Sequence, residues 1–291
     1  MLDPIARIRR FNRAVTREVG ALETSILGRG RPLGAARVLS MTTPEGTDVA
    51  QIRQTLDLDS GLLSRLLRSL ESHGLIDVQA DPSDRRRRIA RMTEAGVAER
   101  TAYDTLNNDR AARTLALTNG QGEDVLAAMD LIATVLNRNH VTINLVDPDD
   151  PAALACLSAY FEVLLAKIEG IDRSHVPVPD PDADSYRAPH GAFLVAWSDG
   201  IPLGCVSLHT MEPGEGEVKR LWVAPNARGQ GLARRLMRAI ESHARTMGLK
   251  RLKLDTNAAL PEAIALYRSD GWHNIPAYTG YPATHWFAKA L

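Results

Sequence analysis

The stretch VAPNARGQGLARRL, residues 223–236, sets two glycines between an apolar run that reads as a strand and one that reads as a helix. A helix N-terminus offers several unpaired backbone N–H groups and a partial positive charge, which together suit a pyrophosphate. Phosphates reach that backbone only where no side chain stands over it. Gly229 and Gly231 meet this need, Gln230 and Leu232 alternate with them, Ala233 adds a single methyl group, and Arg228 brings a charge of its own. The spacing is neither the nucleotide-binding Gly-x-Gly-x-x-Gly nor a P-loop, since no Gly-Lys-Ser/Thr follows.

A second kind of chemistry lies in the first half. The chain has no net charge, with 35 Lys+Arg against 35 Asp+Glu, yet five arginines fall between Arg85 and Arg91. A local patch of this kind binds phosphate even on a neutral chain. Just before it, DVAQIRQTLDLDSGLLSRLLRSLESHGLI has the layout of a helix-turn-helix: a helix over 48–55, a turn at Asp57–Asp59, and a second helix from Ser60 to His73-Gly74. Helical spacing turns Leu63, Leu66, Leu67 and Leu70 inward and leaves Ser60, Ser64, Arg65 and Arg68 outward, where a recognition helix meets base edges and phosphates. IDVQADPSDRRRRIARMT then reads as strand, tight turn, strand. Its tip, Asp84-Arg85-Arg86, suits a narrow minor groove. The plain alternative is a three-helix structural domain with a solvated arginine loop.

The elements that must position these residues fall into two groups, and 291 residues favour two domains. Residues 1–139 are rich in helical periodicity, as in the stripe Val125, Met129, Ile132, Leu136. From 140 onward strands and helices alternate: strands at 141–146, 193–197, 201–209, 217–223 and 252–255, and helices at 151–168, 231–247 and 261–269. The boundary is drawn at Asn139, giving domains 1–139 and 140–291. The Pro- and Asp-rich stretch 170–191 is expected to be a long irregular loop. Cys156 and Cys205 lie far apart in apolar surroundings with no metal-ligand or redox spacing, so reduced buried thiols and no metal are expected. With no apolar leader segment and no run of membrane-spanning length, a soluble cytoplasmic protein without membrane partner is the expectation.

Residues 5–138 resemble the MarR family of winged-helix transcription regulators. AARVL (35–39), LSRLLRSLESHGLI (63–76) and the wing DPSDRRRRIARMTEAG (81–96) carry the likeness. It implies a mainly α winged helix-turn-helix domain that dimerises through helices at both ends, here 3–18 and 94–137, and reads a pseudo-palindromic operator in double-stranded DNA. Ser60, Ser64, Arg65 and Arg68 would then enter the major groove and Arg86 the minor groove.

Residues 140–291 resemble the GNAT superfamily of acyl-CoA-dependent N-acetyltransferases. The family's strand, Val-x-Pro, Arg/Gln-x-x-Gly-x-Gly/Ala and helix are met by Val223, Pro225, Arg228, Gly231 and Ala233, and LDTN…PEAIALYRSDGW matches its next strand and helix. The resemblance implies an α/β fold around a mixed, mostly antiparallel sheet, with acetyl-CoA as co-substrate. Backbone near Trp222 and Val223 would splay from the neighbouring strand to meet the pantetheine arm, and the amides of Gly229 to Ala233 would cradle the pyrophosphate. Asn257 would line the cleft. Tyr267 would give a proton to the departing thiolate, its alternative being a core tyrosine with a satisfied hydroxyl.

Amine attack also needs a base, and Glu217 is the candidate, acting directly or through a water. Strand alternation groups it with Lys219, Leu221 and Val223, and a Glu–Lys pair on a solvated face is the alternative. Neither cysteine sits in an activating motif, so direct transfer to a small-molecule or peptide primary amine is favoured. Loop 170–191 and the C-terminal IPAYTGYPATHW would flank the acceptor, where Asp180, Asp182, Asp184, Tyr278 and Tyr281 would favour a cationic amine or simply be solvated. The reading is a bifunctional regulator and N-acetyltransferase. Two alternatives stay open: a regulator whose second domain senses CoA without turnover, and an acetyltransferase whose first domain only dimerises it.

Overall fold

The computed structural model describes Leu2 to Leu291. The chain divides into two compact units, Met1–Gly122 and Glu123–Leu291.

In the first unit, helices α1 (Pro4–Glu18), α2 (Leu33–Met41), α3 (Val49–Thr55) and α4 (Ser60–Ser72) precede the hairpin strands β2 (Ile76–Ala80) and β3 (Arg88–Met92) and the helix α5 (Glu94–Ala116). A two-residue strand β1 (Thr47–Asp48) joins the far side of β3, so the sheet runs β1-β3-β2 with both pairings antiparallel. The aspartates of the turns start the helices: Asp48 accepts the Ala50 N–H and Asp59 the Leu62 N–H, each at 2.8 Å. Such a cap contributes about 1 kcal/mol. Leu63, Leu66, Leu67 and Leu70 of α4 are buried against Val38, Leu39, Ile52 and Ala90, as their spacing dictates. Each leucine fully removed from water contributes about 1.5–3 kcal/mol.

The helical stretch expected over 94–137 is two helices. Asn119 and Gly120 both take left-handed backbone (φ 48° and 88°), which no helix can carry through, and α6 (Gly122–Leu136) starts afresh beyond them. The division between units falls at Gly122–Glu123, earlier in the chain than Asn139.

After α6 the second unit builds a seven-stranded sheet from β4 (Thr142–Leu145), β5 (Gly191–Ser198), β6 (Ile201–Glu212), β7 (Glu215–Val223), β8 (Arg251–Thr256), β9 (His273–Asn274) and β10 (His285–Ala290). Its order is β4-β5-β6-β7-β8-β10-β9, and only β7 and β8 run parallel. Period-two alternation splits β5 between two layers. Ala192, Leu194 and Ala196 pack in the layer of α8 (Leu232–Thr246) with Leu236, Met237 and Ile240, whereas Phe193 and Val195 pack in the layer of α7 (Pro151–Lys167) with Cys156, Leu157 and Phe161. Cys156 and Cys205 are both buried as free thiols. Helix α9 (Pro261–Ser269) follows β8 and places Ile264 and Tyr267 against the α8 layer.

Two helices carry exposed apolar residues among the described residues. On α1, Ile5, Ile8, Phe11 and Val15 form an exposed stripe at steps of three or four. On α6, Leu126, Met129, Val135 and Leu136 are exposed. No helix among the described residues is long and apolar enough to cross a membrane.

Candidate active site and nucleic-acid interface

Gly229 and Gly231 adopt left-handed backbone, φ 73° and 77°, and Gly231 is the cap residue from which α8 begins. A Cβ built on either would meet nothing within 4 Å, so the space above the turn is open. Among the described residues no backbone N–H from Gly229 through Arg234 has an acceptor within the chain. Six adjacent donors at a helix start, with nothing over them, make an anion cradle. The flanking side chains hold the turn in shape. Arg228 donates from Nε to the Val223 carbonyl (3.2 Å), Gln230 donates from Nε2 to the Asn226 carbonyl (3.1 Å), and the Leu232 side chain is buried in the core beneath. Leu232 therefore offers the cradle its amide alone.

The cleft leading from this turn is made by two strands parting. β7 pairs with β8 from Glu215↔Arg251 to Glu217↔Lys253 and no further, although both strands continue. On its other side β7 stays attached to β6, with Cys205 opposite Trp222 and Ser207 opposite Lys219. Between these pairs one residue of β6, Val206, thus faces two of β7, Arg220 and Leu221, a bulge at which Arg220 takes φ 58°. The extra residue breaks the alternation expected for Glu217, Lys219, Leu221 and Val223, which do not share one face through the strand.

Near the glycine turn the gap is a cavity of about 320 Å³ walled by Leu221, Trp222, Val223, Ala263 and Leu266. It runs on into a second of about 250 Å³, reached by Arg220, Asp255, Asn257 and Tyr267, the two sharing Tyr160, Leu221, Leu260 and Ala263. The Asn257 amide is itself committed: it donates to the Pro282 carbonyl and accepts the Ala259 N–H at 2.8 Å, fixing both loops at the rim. Tyr160 of α7 was not legible as a site residue, because no motif surrounds it and only the packing of α7 on the sheet brings it here. Burial pushes its phenol up to about 12. Arg234 also reaches the first cavity, held by Asp270 and Ser269.

Tyr267 stands in the wall of the second cavity, its ring braced by Phe287 and Trp272 at centroid distances of 5.7 and 6.1 Å. Its hydroxyl has no hydrogen-bond partner among the described residues, unlike the satisfied core tyrosine of the alternative reading. Burial, with the nearby Tyr160 and Asp255, raises its pKa and keeps the phenol protonated.

Glu217 is not on a solvated face; it is 3% exposed. Tyr278 donates its hydroxyl to Oε1 (2.9 Å), His209 Nε2 lies 2.8 Å from Oε2, and Lys219 Nζ lies 3.2 Å from Oε1. Burial alone would push this carboxyl up, but the His209 bond, the Lys219 charge and the Tyr278 bond outweigh it and hold the pKa below the ordinary value. Its neighbours Val218 and Lys219 line the second cavity, and Glu217 itself does not.

Loop 170–191 has no long element, yet it is packed rather than loose. Tyr186 is buried against Phe193 and His209, and Asp180 is buried in an ion pair with Arg220. Arg187 binds Asp147, Asp149 and Asp184. Asp180 and Asp184 are thus already partnered by arginines and are not free to receive a cationic amine. Tyr278 is engaged by Glu217, and Tyr281 donates to the Glu169 carbonyl at 2.6 Å.

In the first unit Arg65, Arg68 and Ser60 are exposed on α4, and Ser64 is half-buried beside them. Arg85 and Arg86 form the turn between β2 and β3, both exposed. Arg87 is different: it pairs with Asp48 at 2.9 Å and lies 3.6 Å from Asp81, tying the hairpin to the cap of α3. Ser60, Ser64, Arg86 and Arg88 line one shallow groove between α4 and the hairpin.

Both regions of the chain have counterparts among known protein families. The model of the acetyltransferase (GNAT) family matches residues 157–272, and that of the MarR family matches residues 29–87. The chain is 43% identical over 93 residues to an IAA acetyltransferase of Azospirillum brasilense, covering 31% of this chain and 60% of that protein. It is 36% identical over 118 residues to an uncharacterized N-acetyltransferase of Schizosaccharomyces pombe, covering 39% of this chain and 72% of that one. The crystal structure of an acetyltransferase from Streptococcus agalactiae aligns over 52% of this chain and 98% of its own, with 20% identity and a TM-score of 0.45. The chain belongs to the GNAT acetyltransferase family, and ahead of that region residues 29–87 are similar to the MarR family.

Proposed function

We propose that the protein transfers the acetyl group of acetyl-CoA directly to a primary amine through its domain 140–291, and that its domain 1–139 binds double-stranded DNA as a homodimer in the cytoplasm. One observation carries the transferase reading. The unpaired N–H groups of residues 229–234 open into the same parted-strand cleft in whose far wall the free Tyr267 hydroxyl stands.

In this reading the amides of Gly229 to Ala233, with Arg228, hold the pyrophosphate of acetyl-CoA. The pantetheine arm follows the edge of β7 that β8 has left, beside Trp222 and Val223, where unpaired backbone groups replace the arm's water. The thioester lies near Tyr267 and Asn257. The amine nitrogen attacks the thioester carbonyl carbon, the carbon–sulfur bond breaks, and the thiolate takes the Tyr267 proton. The proton released by nitrogen passes through a water to Glu217, since both carboxylate oxygens are held by other groups and none reaches the cleft directly.

The regulator reading is supported by where the free cations lie. Ser60, Ser64, Arg65 and Arg68 present one face of α4 for the major groove, and Arg85 and Arg86 cap a hairpin placed for the minor groove. The exposed stripes of α1 and α6 fit burial against a second copy. Following thiol release with acetyl-CoA and an amine panel tests the first reading, and mobility shifts with operator fragments test the second.

A further inference from the structure

Arg220 lines the acceptor end of the cleft in a backbone conformation that arginine rarely adopts. The bulge that imposes it re-aims the side chain away from the strand's ordinary alternation. Two elements then fix the guanidinium and a third fixes the backbone that carries it. Its Nε donates to Asp180 Oδ2 at 2.7 Å, its face lies 5.2 Å from the centre of the Phe161 ring on α7, and its own backbone carbonyl accepts from Cys205 on β6. Asp180 is 3% exposed and is held in turn, its Oδ1 accepting the Asp182 N–H at 3.0 Å. Burial on this scale for an aspartate that contacts no other cation serves to orient the arginine.

The two terminal nitrogens of Arg220 have no hydrogen-bond partner among the described residues. Among the described residues the other charges at this end of the cleft are matched, Lys219 lying 3.2 Å from Glu217 and 3.6 Å from Asp255, and the His175 ring is held 2.9 Å from Asp172. A guanidinium anchored through Nε presents its remaining donors as a planar fork, which fits a carboxylate and is wasted on a lone amine. The wall opposite the charges is apolar, built from Leu164, Ile168, Ile171 and Val176.

We propose that Arg220 receives a carboxylate on the acceptor, and that the acceptor is an apolar α-amino acid. The proposal rests on the transferase reading above and names its substrate class. The α-amine attacks the thioester carbonyl carbon, the carbon–sulfur bond breaks, the proton from nitrogen goes to Glu217 through water, and the thiolate takes the Tyr267 proton. The carboxylate and Arg220 pass through the step unchanged.

The test compares leucine, leucinamide and isopentylamine as acceptors for the full-length protein, at equal concentrations of unprotonated amine. Leucine is expected to exceed the other two by about 30-fold or more in kcat/KM, the size seen when one partner of a buried charge pair is removed. Arg220→Lys should cut that preference about 10-fold, and the double variant Asp180→Asn/Arg220→Gln, which leaves neither charge buried alone, should bring it near one. Calorimetric affinity for acetyl-CoA should hold in both, reporting an intact cofactor site. Equal use of leucine and isopentylamine by the wild-type protein would overturn the proposal, even if the variants failed to fold. So would a preference that survives both substitutions, or turnover confined to amines without a carboxylate. Absence of acetyl-CoA binding by the wild-type protein would instead sink the transferase reading and this proposal with it.

Discussion

Glu217 lies opposite Lys253 on the last parallel rung between β7 and β8, and beyond that rung the two strands part. The same residue anchors His209 and Tyr278, so the point where the sheet opens is also where its buried charge is concentrated. The opening frees the backbone edge of β7 from Val218 onward, groups that cost stability unless water or a ligand pairs with them. One end of the gap holds the free amides before α8 and the other the free hydroxyl of Tyr267. A long ligand with a diphosphate at one end and a reactive group at the other satisfies both.

Gly231→Ala should weaken acetyl-CoA binding at least about 10-fold in calorimetry. The left-handed conformation costs a non-glycine residue about 1–2 kcal/mol, and the new methyl group enters space that only a ligand would use. Gly229→Ala should act in the same direction. Wild-type affinity in both variants would contradict a phosphate cradle at this turn.

Tyr267→Phe should lower kcat by about 10²- to 10⁴-fold while acetyl-CoA affinity stays unchanged, because the hydroxyl acts only when the thiolate departs. Since burial raises its pKa, the wild-type enzyme should show no loss of kcat from this phenol through the ordinary tyrosine range near pH 10. Retention of full kcat in the phenylalanine variant would remove the acid role.

Glu217→Gln should lower kcat and also reveal a pH-dependent share of stability. The folded pKa of Glu217 is depressed, so its stabilisation is present above the unfolded value and disappears as pH falls through the folded one. In urea titrations the wild-type protein should exceed the variant at pH 7, and the gap should close as pH falls below about 4.5. A gap that widens on acidification would reverse the assignment of its partners.

Arg86→Ala should weaken operator binding and reduce the salt dependence of log K by about 0.9 per lost phosphate contact. Arg87→Ala should instead loosen the hairpin, because that side chain is spent on Asp48 and Asp81. Hydrogen exchange in β2 and β3 separates the two: faster exchange in the Arg87 variant and unchanged exchange in the Arg86 variant. The opposite pattern would reassign the wing.

Phe11→Glu together with Ile8→Glu should convert dimers to monomers in light scattering and depress operator affinity, with acetyl-CoA binding retained. Both residues lie on the uncovered stripe of α1. A dimer that survives the double substitution would place the interface elsewhere.

Local chemistry made much of this readable. The α4 leucines, the aspartate caps and the glycines before α8 each impose their conformation on neighbours a few residues away, so sequence spacing alone finds them. Helix α9 runs from Pro261 to Ser269 as its pattern dictates. What escaped depends on long-range packing. Arg220 finds Asp180 forty residues away, Tyr160 reaches the cleft only through the docking of α7, and the β7 bulge has no glycine to announce it. Asp180 and Asp184 looked available for an amine because nothing nearby in sequence shows that arginines from β7 and from the loop itself have claimed them.

The most direct test of acetyl transfer is thiol release on mixing the full-length protein, acetyl-CoA and a panel of primary amines, with mass analysis of the amine. The account predicts amine-dependent release of CoA thiol matched by an equal amount of acetyl amide. Saturable binding of acetyl-CoA with no thiol released for any amine would contradict it and leave the domain a sensor.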